Sequence, residues 1–514
     1  MIKTPAKMYK KILRRKKREI EKRLERKQWG DQNEPMFSGS NIHYELAEKT
    51  QAINCGGLGV IHQMVLKSGL IKDINSEVKL LKSHLPYHES DHVLNIAYNV
   101  LCGNVRLEDI ELNRQDAGYL DAIGAKIIPD PTTAGDFTRR FKKEDIFKLM
   151  GCINKARTRI WEKGKRCFMD EAVIDVDGTS AGTYGECKEG MDISHKGIWG
   201  YAPLIVSLAN TKEVLSLVNR PGNRPSHDGC VEWIDQAIAL VKPYARKVCV
   251  RGDTDYSLTA HFDRWSEDSD FVFGMDASAV LKGKAGALPD EAWEGEKRNP
   301  KYTVKTRERE REREREKPEN VKERIVKERG YKNICLEREH VAEFDYRPVK
   351  CKNSYRVVAL RKTLSVKEGQ MKLYDDVRYF FYITTKRDIS AMEVVRFANG
   401  RCDQENVIEQ LKNGVNAMKM PVSDLESNWS YMVMAALAWN LKAWFGLLMP
   451  NRVRGMQVIK MEFRRFLNTL ILIPCQIIRT GRKIVYRILC YNDWLKDLFS
   501  TWERLRKLRT YRIA

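Results

Sequence analysis

The sequence has few features of a disulfide-rich or zinc-dependent protein. Its 12 cysteines are scattered over 514 residues, with no Cys-x-x-Cys pair and no Cys/His cluster at zinc-binding spacing. A disulfide framework and a structural zinc site are therefore not expected. Isolated cysteines suit a reducing compartment, and we expect a cytoplasmic protein.

Nucleotide-binding loops and membrane-spanning runs are also scarce. The chain has no Gly-x4-Gly-Lys-Ser/Thr pattern, so a mechanism driven by ATP is not expected. One run, at 431–450, approaches membrane-spanning length, but Asn440 and Lys442 at its centre would be costly in lipid. The first residues lack the apolar core of a secretion signal. We interpret the run as a buried helix and expect no membrane partner.

Basic residues, in contrast, are abundant and lie mainly at the two ends. Lys and Arg number 91 against 69 acids, which gives a net charge of +22. Residues 1–27 hold 13 basic and 3 acidic side chains, and residues 451–514 hold 15 and 4. The part between them is almost neutral. This distribution predicts two phosphate-binding arms on a body with a balanced surface.

The chain is long enough for several structural units, because 43% of its residues are hydrophobic. Changes of pattern along the sequence predict an α/β fold with helical flanking regions. The predicted segments are a basic arm (1–40), a helical region (41–165), the first part of an α/β core (166–255), a β-rich insertion (256–388) with a charged linker (306–320), the second part of the core (389–450) and a basic helical region (451–514).

One stretch of the helical region, "DPTTAGDFTRRF", predicts a short helix before a longer one. Thr132 or Thr133 is the predicted N-cap, and Arg139 and Arg140 lie at the other end. The pattern looks like a helix-turn-helix element that contacts DNA through these arginines. An ordinary helical hairpin is the alternative.

Acidic clusters follow two apolar strands of the predicted core. They are "DVDGT" at 175–179 and "RGDTD" at 251–255. Open α/β sheets present ligand-binding side chains at strand ends. Mg²⁺ prefers carboxylate, water and phosphate oxygens, and two such ions about 4 Å apart suit phosphoryl displacement.

A third acid lies in "NGRCDQENVIEQLKNG" at 399–414. In a regular helix Arg401, Glu405 and Lys412 fall within an arc of roughly 40°. The adjoining stripe of Val407, Ile408, Leu411 and Val415 would seat the helix on a core. The charged face is either an exposed salt-bridge ladder or one metal ligand between two phosphate-binding side chains.

The spacing Arg401-x3-Glu405-x6-Lys412 resembles the Tyr-Arg-Glu-Lys signature of bacterial insertion-sequence transposases with an Asp-Asp-Glu triad. The segments "DVDGTSAGTYGECKEGMDISHKGIWGYAPLIVSLANT", "NRPGNRPSHDG", "RGDTDYS" and "RYFFYITTKRD" are similar to those of one subgroup, the transposase DDE domain group 1. The resemblance covers roughly residues 170–474.

This resemblance implies a ribonuclease-H-like catalytic core interrupted by the β-rich insertion. It implies two Mg²⁺ ions, with Mn²⁺ as a substitute, and cut-and-paste chemistry on the ends of the protein's own element. Asp177, Asp253 and Glu405 are the implied catalytic residues and metal ligands, and Arg401 and Lys412 the implied DNA contacts. The neighbouring acids are expected to have supporting or surface roles: Asp175, Asp255 and Glu409.

One position departs from the family pattern. The signature tyrosine belongs three residues before Arg401, where this chain has Ala398 beside Phe397. The tyrosine's contact and a DNA hairpin intermediate are therefore not carried over to this chain.

The expected partners are the element's terminal repeats and target sites in double-stranded DNA, bound by a homodimer that assembles on the DNA near the nucleoid. The alternatives are a metal-dependent nuclease without strand transfer and a DNA-binding protein descended from a transposase, with an inactive core.

Overall fold

The structure is a computed structural model. It describes residues 9–25, 43–44, 50–84, 86–164, 170–183, 185, 187–194, 196–295, 333–368, 371–480 and 483–508. The charged linker predicted at 306–320 lies outside these ranges. The chain divides into two compact units. Unit 1 comprises Met1–Ala172, Asp177–Arg246 and Asp403–Ala514, and unit 2 comprises Val173–Val176 and Lys247–Cys402.

The N-terminal part of unit 1 is helical, as the apolar spacing predicts. Every residue of the basic helix α1 is at least partly exposed, whereas the following helices bury one apolar face. The elements are α1 (Lys10–Leu24), β1 (Gln51–Ile53), α2 (Leu58–Ser68), α3 (Leu70–Glu77), α4 (Glu89–Leu101), α5 (Ile110–Arg114), α6 (Ala117–Ile123), α7 (Pro131–Thr138) and α8 (Lys143–Gly164).

The short helix α7 lies where the sequence predicts it, but its cap differs. Asp130 is the N-cap, and its carboxylate accepts hydrogen bonds from Thr133 N at 2.9 Å and Thr133 Oγ1 at 2.8 Å. The prediction of a threonine cap was wrong because proline at the first helical position places Asp130 just outside the helix. Four residues then separate α7 from α8.

Short strands follow in unit 1, as the β-rich texture predicts. β6 and β7 form an antiparallel hairpin, and β3, β5 and β4 form a small antiparallel sheet. The elements are β2 (Glu171–Gly178), whose middle belongs to unit 2, β3 (Ala181–Gly182), β4 (Asp192–Ile193), β5 (Trp199–Tyr201), β6 (Leu204–Leu208), β7 (Glu213–Val218) and α9 (Cys230–Val241).

Unit 2 is a mixed sheet with helices. From one edge the order is β10-β11-β12-β13-β9-β8, followed by the middle of β2. β8 and β9 are parallel, and the pairs from β9 to β10 are antiparallel. Three long strands, β11–β13, lie within the insertion that was predicted to be β-rich. The elements are β8 (Lys247–Gly252), α10 (Phe262–Asp268), β9 (Asp270–Met275), α11 (Ala279–Gly286), β10 (Glu294–Gly295), β11 (Asn333–Tyr346), β12 (Tyr355–Glu368), β13 (Met371–Thr384) and α12 (Ala391–Asn399).

The rest of unit 1 begins with α13 (Cys402–Glu409) and is dominated by the helix α14 (Leu425–Leu448). By length and composition alone α14 could cross a membrane, but its apolar window is entirely buried in the protein. Asn440 exchanges two hydrogen bonds with the Val214 backbone, and Lys442 Nζ donates to the carbonyl oxygen of Ile459 at 2.9 Å. The prediction of a buried helix is confirmed.

The C-terminal region is mixed rather than wholly helical. A hairpin of two strands lies between its helices, and β14 also pairs with β1. The helical prediction was wrong here because "CQIIRT" and "KIVYRI" are rich in β-branched and aromatic residues, which favour strands. The elements are α15 (Arg452–Lys460), α16 (Phe463–Phe466), β14 (Cys475–Thr480), β15 (Lys483–Ile488) and α17 (Leu495–Lys507).

Candidate functional site

Asp177 lies where the buried part of β2 ends. Ile174, Asp175 and Val176 are buried, whereas Asp177 and the residues after it are partly exposed. The backbone N–H of Gly178 donates to Asp177 Oδ1 at 2.8 Å. The carboxylate is therefore held at the solvent-accessible end of a strand.

Asp175, two residues earlier, is used differently. It is 1% exposed and forms a bidentate pair with Arg251, with Arg251 Nε 2.6 Å from Oδ1 and Nη2 2.9 Å from Oδ2. Arg251 also donates to the carbonyl oxygen of Phe397 at 2.6 Å. A buried carboxylate with both oxygens bonded to one guanidinium stabilises the core of unit 2. This geometry supports the choice of Asp177 over Asp175.

Asp253 directly follows β8 in unit 2. Its Oδ1 accepts a hydrogen bond from Asp255 N at 3.0 Å, and its Oδ2 lies 3.7 Å from Arg401 Nη1. Burial raises the pKa of the Asp253 carboxyl above its usual value. The charge of Arg401 opposes this shift, and the charge of Asp255 adds to it. Asp255 itself points to solvent. Arg401 is therefore the counterion of Asp253 in this structure.

A cavity of about 370 Å³ lies beside this pair within unit 2. Its lining combines the charged pair with aromatic side chains of β13 and with Ala398. The position at which the family signature has tyrosine therefore opens onto this cavity. The aromatic residues of the lining are Tyr379, Phe380, Phe381 and Tyr382.

Glu405 is exposed on α13 in unit 1. The adjacent Gln404 is buried and donates to the Ile205 carbonyl oxygen at 3.1 Å, while Asp403 pairs with Lys212 at 2.8 Å. These two contacts fix the first turn of the helix against β6 and the turn before β7. The predicted apolar stripe is buried, as expected: Val407, Ile408, Leu411 and Val415.

The helix differs from the prediction at both ends. Arg401 lies in the turn before α13 rather than on it, and residues Gln410–Gly414 form a π-helical turn. The advance of 100° per residue does not hold through such a wide turn. The prediction that Arg401, Glu405 and Lys412 share one regular helical face was therefore wrong, although Glu405 remains exposed.

The π-helical turn places Lys412 in a second cavity, of about 160 Å³, within unit 1. We call this the basic cavity. Its cationic lining residues are Lys196, Arg220, Arg224 and Lys412, and the residues that follow Asp177 also line it: Gly178, Thr179 and Ser180. None of its described lining residues carries a carboxylate.

The electrostatics of the basic cavity favour an anion. Burial lowers the pKa of Lys412, Glu409 raises it, and the nearby charge of Lys196 lowers it again. The ammonium groups of Lys412 and Lys196 therefore repel one another in this cavity. A phosphate group would relieve this repulsion by accepting hydrogen bonds from both.

Arg220 is positioned by backbone oxygens. Its guanidinium donates to Ala202 O at 2.8 Å, Ser226 O at 3.0 Å and Asp228 O at 2.7 Å. Arg224, four residues on, pairs with the Asp228 side chain at 3.3 Å and is more exposed. Arg220 therefore shapes the loop, and Arg224 is the more accessible cation.

Sequence reasoning did not identify the contributions of Lys196, Arg220 and Arg224. The segment "NRPGNRPSHDG" carried a signal, because Gly222 separates two arginines in a tight loop. A Cβ atom on Gly222 would lie 2.2 Å from Gly200 O, so only glycine permits this approach of the two backbones.

The remaining predicted contacts lie elsewhere in unit 1. Arg139 and Arg140 are exposed after α7, and Arg139 pairs with Asp136. The predicted site residues are thus distributed over both units. The structure brings Lys412 to the segment after Asp177, and it brings Arg401 to Asp253.

Comparisons with known proteins agree with the sequence pattern. A family model described as transposase DDE domain group 1 matches residues 50–510. A solved structure, "Cryo-EM structure of piggyBac transposase synaptic complex with hairpin DNA (SNHP)", is similar at 10% identity with a TM-score of 0.34, and the match covers 82% of this chain and 84% of that chain. No curated protein matches the sequence.

Proposed function

Because the chain belongs to the transposase DDE domain group 1 family, we propose that it is an insertion-sequence transposase with a ribonuclease-H-like core. It binds the ends of its own element, cleaves them by metal-dependent hydrolysis and joins the 3′-OH ends to target DNA. Family membership supports the reaction class. The residues below support its assignment to particular side chains.

Asp177, Asp253 and Glu405 are proposed to hold two Mg²⁺ ions, with Mn²⁺ as an expected substitute. All three carry hard carboxylate oxygens and are at least partly exposed, which fits these ions. The nearby Asp175 and Asp403 are already paired with basic side chains. When bound, the ions activate the attacking oxygen and stabilise the leaving one.

The observation that carries the proposal is the basic cavity beside the segment that follows Asp177. Four cationic side chains line it, and Lys412 and Lys196 repel one another there. The proposed role of Lys196, Arg224 and Lys412 is to bind a backbone phosphate and so to position the neighbouring phosphodiester for cleavage.

In unit 2, Arg401 and the aromatic cavity support a nucleic-acid substrate. Arg401 balances the charge of Asp253 and can donate to a phosphate oxygen. Phe380 lines the same cavity and is exposed, which suits stacking on a nucleobase.

The basic regions are proposed to hold double-stranded DNA. α1 exposes its basic side chains along its length, and Arg139 and Arg140 are exposed at the turn before α8. We propose that two copies assemble on DNA carrying the terminal repeats and the target, in the cytoplasm at the nucleoid.

The proposal is tested by incubating the purified protein with DNA that carries the candidate element's ends, with Mg²⁺ or with a chelator. Mapping of cuts and joins should show both, and only with Mg²⁺. Cleavage without joining would indicate a nuclease, and binding without cleavage would indicate an inactive core. The Glu405→Gln variant serves as the matched control, because it should bind the ends without cutting them.

A further inference from the structure

A cluster of metal-ligating side chains lies in unit 1, apart from the residues proposed for catalysis. His84 and His88 belong to the segment between α3 and α4, and Glu89 is the first residue of α4. Their ligand atoms all lie within 4.8 Å of one another. This is the one such group of three among the residues that the structure describes.

Glu89 is held in place by its surroundings. It is fully buried, and its Oε1 accepts hydrogen bonds from the backbone N–H groups of Leu80 and Leu81, both at 3.1 Å. Its Oε2 faces His84 Nε2 at 3.2 Å. A fixed carboxylate oxygen therefore points into the cluster.

The two imidazoles are stacked and accessible. Their ring centroids lie 4.2 Å apart with an interplanar angle of 16°. Imidazole nitrogen lone pairs lie in the ring plane, so one of these nearly parallel rings must turn about its side-chain bonds for both to bind a single cation. Both histidines are exposed, whereas Glu89 is buried beneath them.

We propose that His84, His88 and Glu89 bind one divalent transition-metal ion, of which Zn²⁺ fits best. Two imidazole nitrogens and a carboxylate oxygen are zinc ligands, whereas Mg²⁺ prefers oxygen alone. Bonds of about 2.1 Å to a tetrahedral ion place ligand atoms about 3.4 Å apart, close to the observed 3.2 Å between His84 Nε2 and Glu89 Oε2. Water completes the coordination.

The ion would join the segment 78–88 to the first turn of α4. Its described residues, 78–84 and 86–88, belong to no helix or strand, so the bonds would fix their path against the helical region. The site is predicted to stabilise unit 1 and to take no part in cleavage. This site was not predicted from the sequence, because a search for zinc ligands based on cysteine overlooks a His-x3-His-Glu pattern.

The test uses full-length protein in an Asp253→Asn/Glu405→Gln background, so that the proposed catalytic acids contribute less to binding. Calorimetric titration with Zn²⁺, in excess Mg²⁺, should show one ion per chain. His84→Ala and His88→Ala should each weaken binding by about tenfold or more, since even outer-shell changes cost roughly 10–100-fold. Glu89→Gln keeps the backbone hydrogen bonds but loses the charge, and it should also weaken binding.

His227→Ala is the matched control, because His227 is an exposed histidine outside the cluster. It should leave the affinity for Zn²⁺ unchanged. Zn²⁺ should also raise the unfolding temperature of the parent and of His227→Ala, but not that of the His84→Ala/His88→Ala double variant. Absence of Zn²⁺ binding by the parent, or equal affinity in the double variant, would overturn the proposal.

Discussion

Asp175 and Asp177 on β2 have different surroundings, so their substitution should affect different properties: stability for Asp175 and cleavage for Asp177. Asp175→Ala would leave Arg251 buried without its carboxylate, which costs about 3–5 kcal/mol in comparable pairs. Asp177→Ala should abolish cleavage and leave stability almost unchanged. Urea unfolding and a cleavage assay on both variants measure the two effects. Full cleavage by Asp177→Ala would remove it from the proposed triad.

Substitution of Arg401 distinguishes a contact with DNA phosphate from a simple ion pair with Asp253. Its pair with Asp253 is 3.7 Å long and partly exposed, so its loss should cost only about 0–1 kcal/mol of stability. Arg401→Ala should nevertheless lower cleavage strongly. Arg401→Lys should also be impaired, because lysine lacks the planar fork that binds two phosphate oxygens. Cleavage at the wild-type rate by Arg401→Lys would show that only its charge matters.

His92 should make stability depend on pH. Burial, followed by the charge of Arg140, lowers its pKa from 6.5 to about 4, while Glu89 acts to raise it. Above pH 6.5 neither the folded nor the unfolded state binds this proton. Between pH 6.5 and 4 only the unfolded state does, so stability falls by about 3 kcal/mol over that window.

The matched variant is His92→Phe. Its ring can keep the stacking of His92 on Phe137, whose ring centroids lie 4.2 Å apart. Unfolding of both proteins at pH 7.5 and 4.5 isolates this contribution. The variant should gain about 2–3 kcal/mol relative to the wild type at the lower pH. An equal loss in both proteins would contradict the assignment to His92.

At the scale of elements, the loop between β7 and α9 supplies two kinds of arginine. Arg224→Ala, like Lys196→Ala, should weaken DNA binding and reduce the slope of log affinity against log salt by about 1. Arg220→Ala should instead destabilise the protein, because three carbonyl oxygens lose their donor. Arg246→Ala, at an exposed position outside the basic cavity, is the control.

The helix α1 contributes positive charge but no buried residue. Deletion of residues 1–27 removes 13 basic side chains and should flatten the salt dependence of DNA binding, since fewer counterions are released. The unfolding temperature should change little, because every residue of α1 is at least partly exposed. An unchanged salt slope would show that this helix does not contact DNA.

Elements with strong periodicity were predictable from sequence, and the exceptions have physical causes. The stripe from Val407 to Val415 indicated which side of the helix is buried. It could not reveal the π-helical turn at Gln410–Gly414, because successive hydrophobic spacings of 1, 3 and 4 residues fit either a regular or a widened helix. Hence Lys412 was predicted to bind phosphate, but the cavity in which it lies was not.

At the scale of the whole molecule, both basic ends belong to unit 1, whereas the predicted insertion belongs to unit 2. Composition showed that the excess of basic residues lies at the two ends. It could not identify contacts between distant segments, such as the pairing of β1 with β14 or the burial of Asp175 against Arg251. Those contacts join residues that are far apart in the sequence, and local patterns do not reveal which distant segments meet.

The order of segments also constrains synthesis. α14, which packs against α4 and α8 in unit 1, is translated only after residues 247–402 of unit 2. At about 5–20 residues per second the ribosome needs about 8–30 s for that stretch. Throughout this delay the emerging N-terminal helices must remain soluble without the helix that covers them. The apolar residues of α4 and α8 that pack on α14 therefore lack this partner until unit 2 has been synthesised.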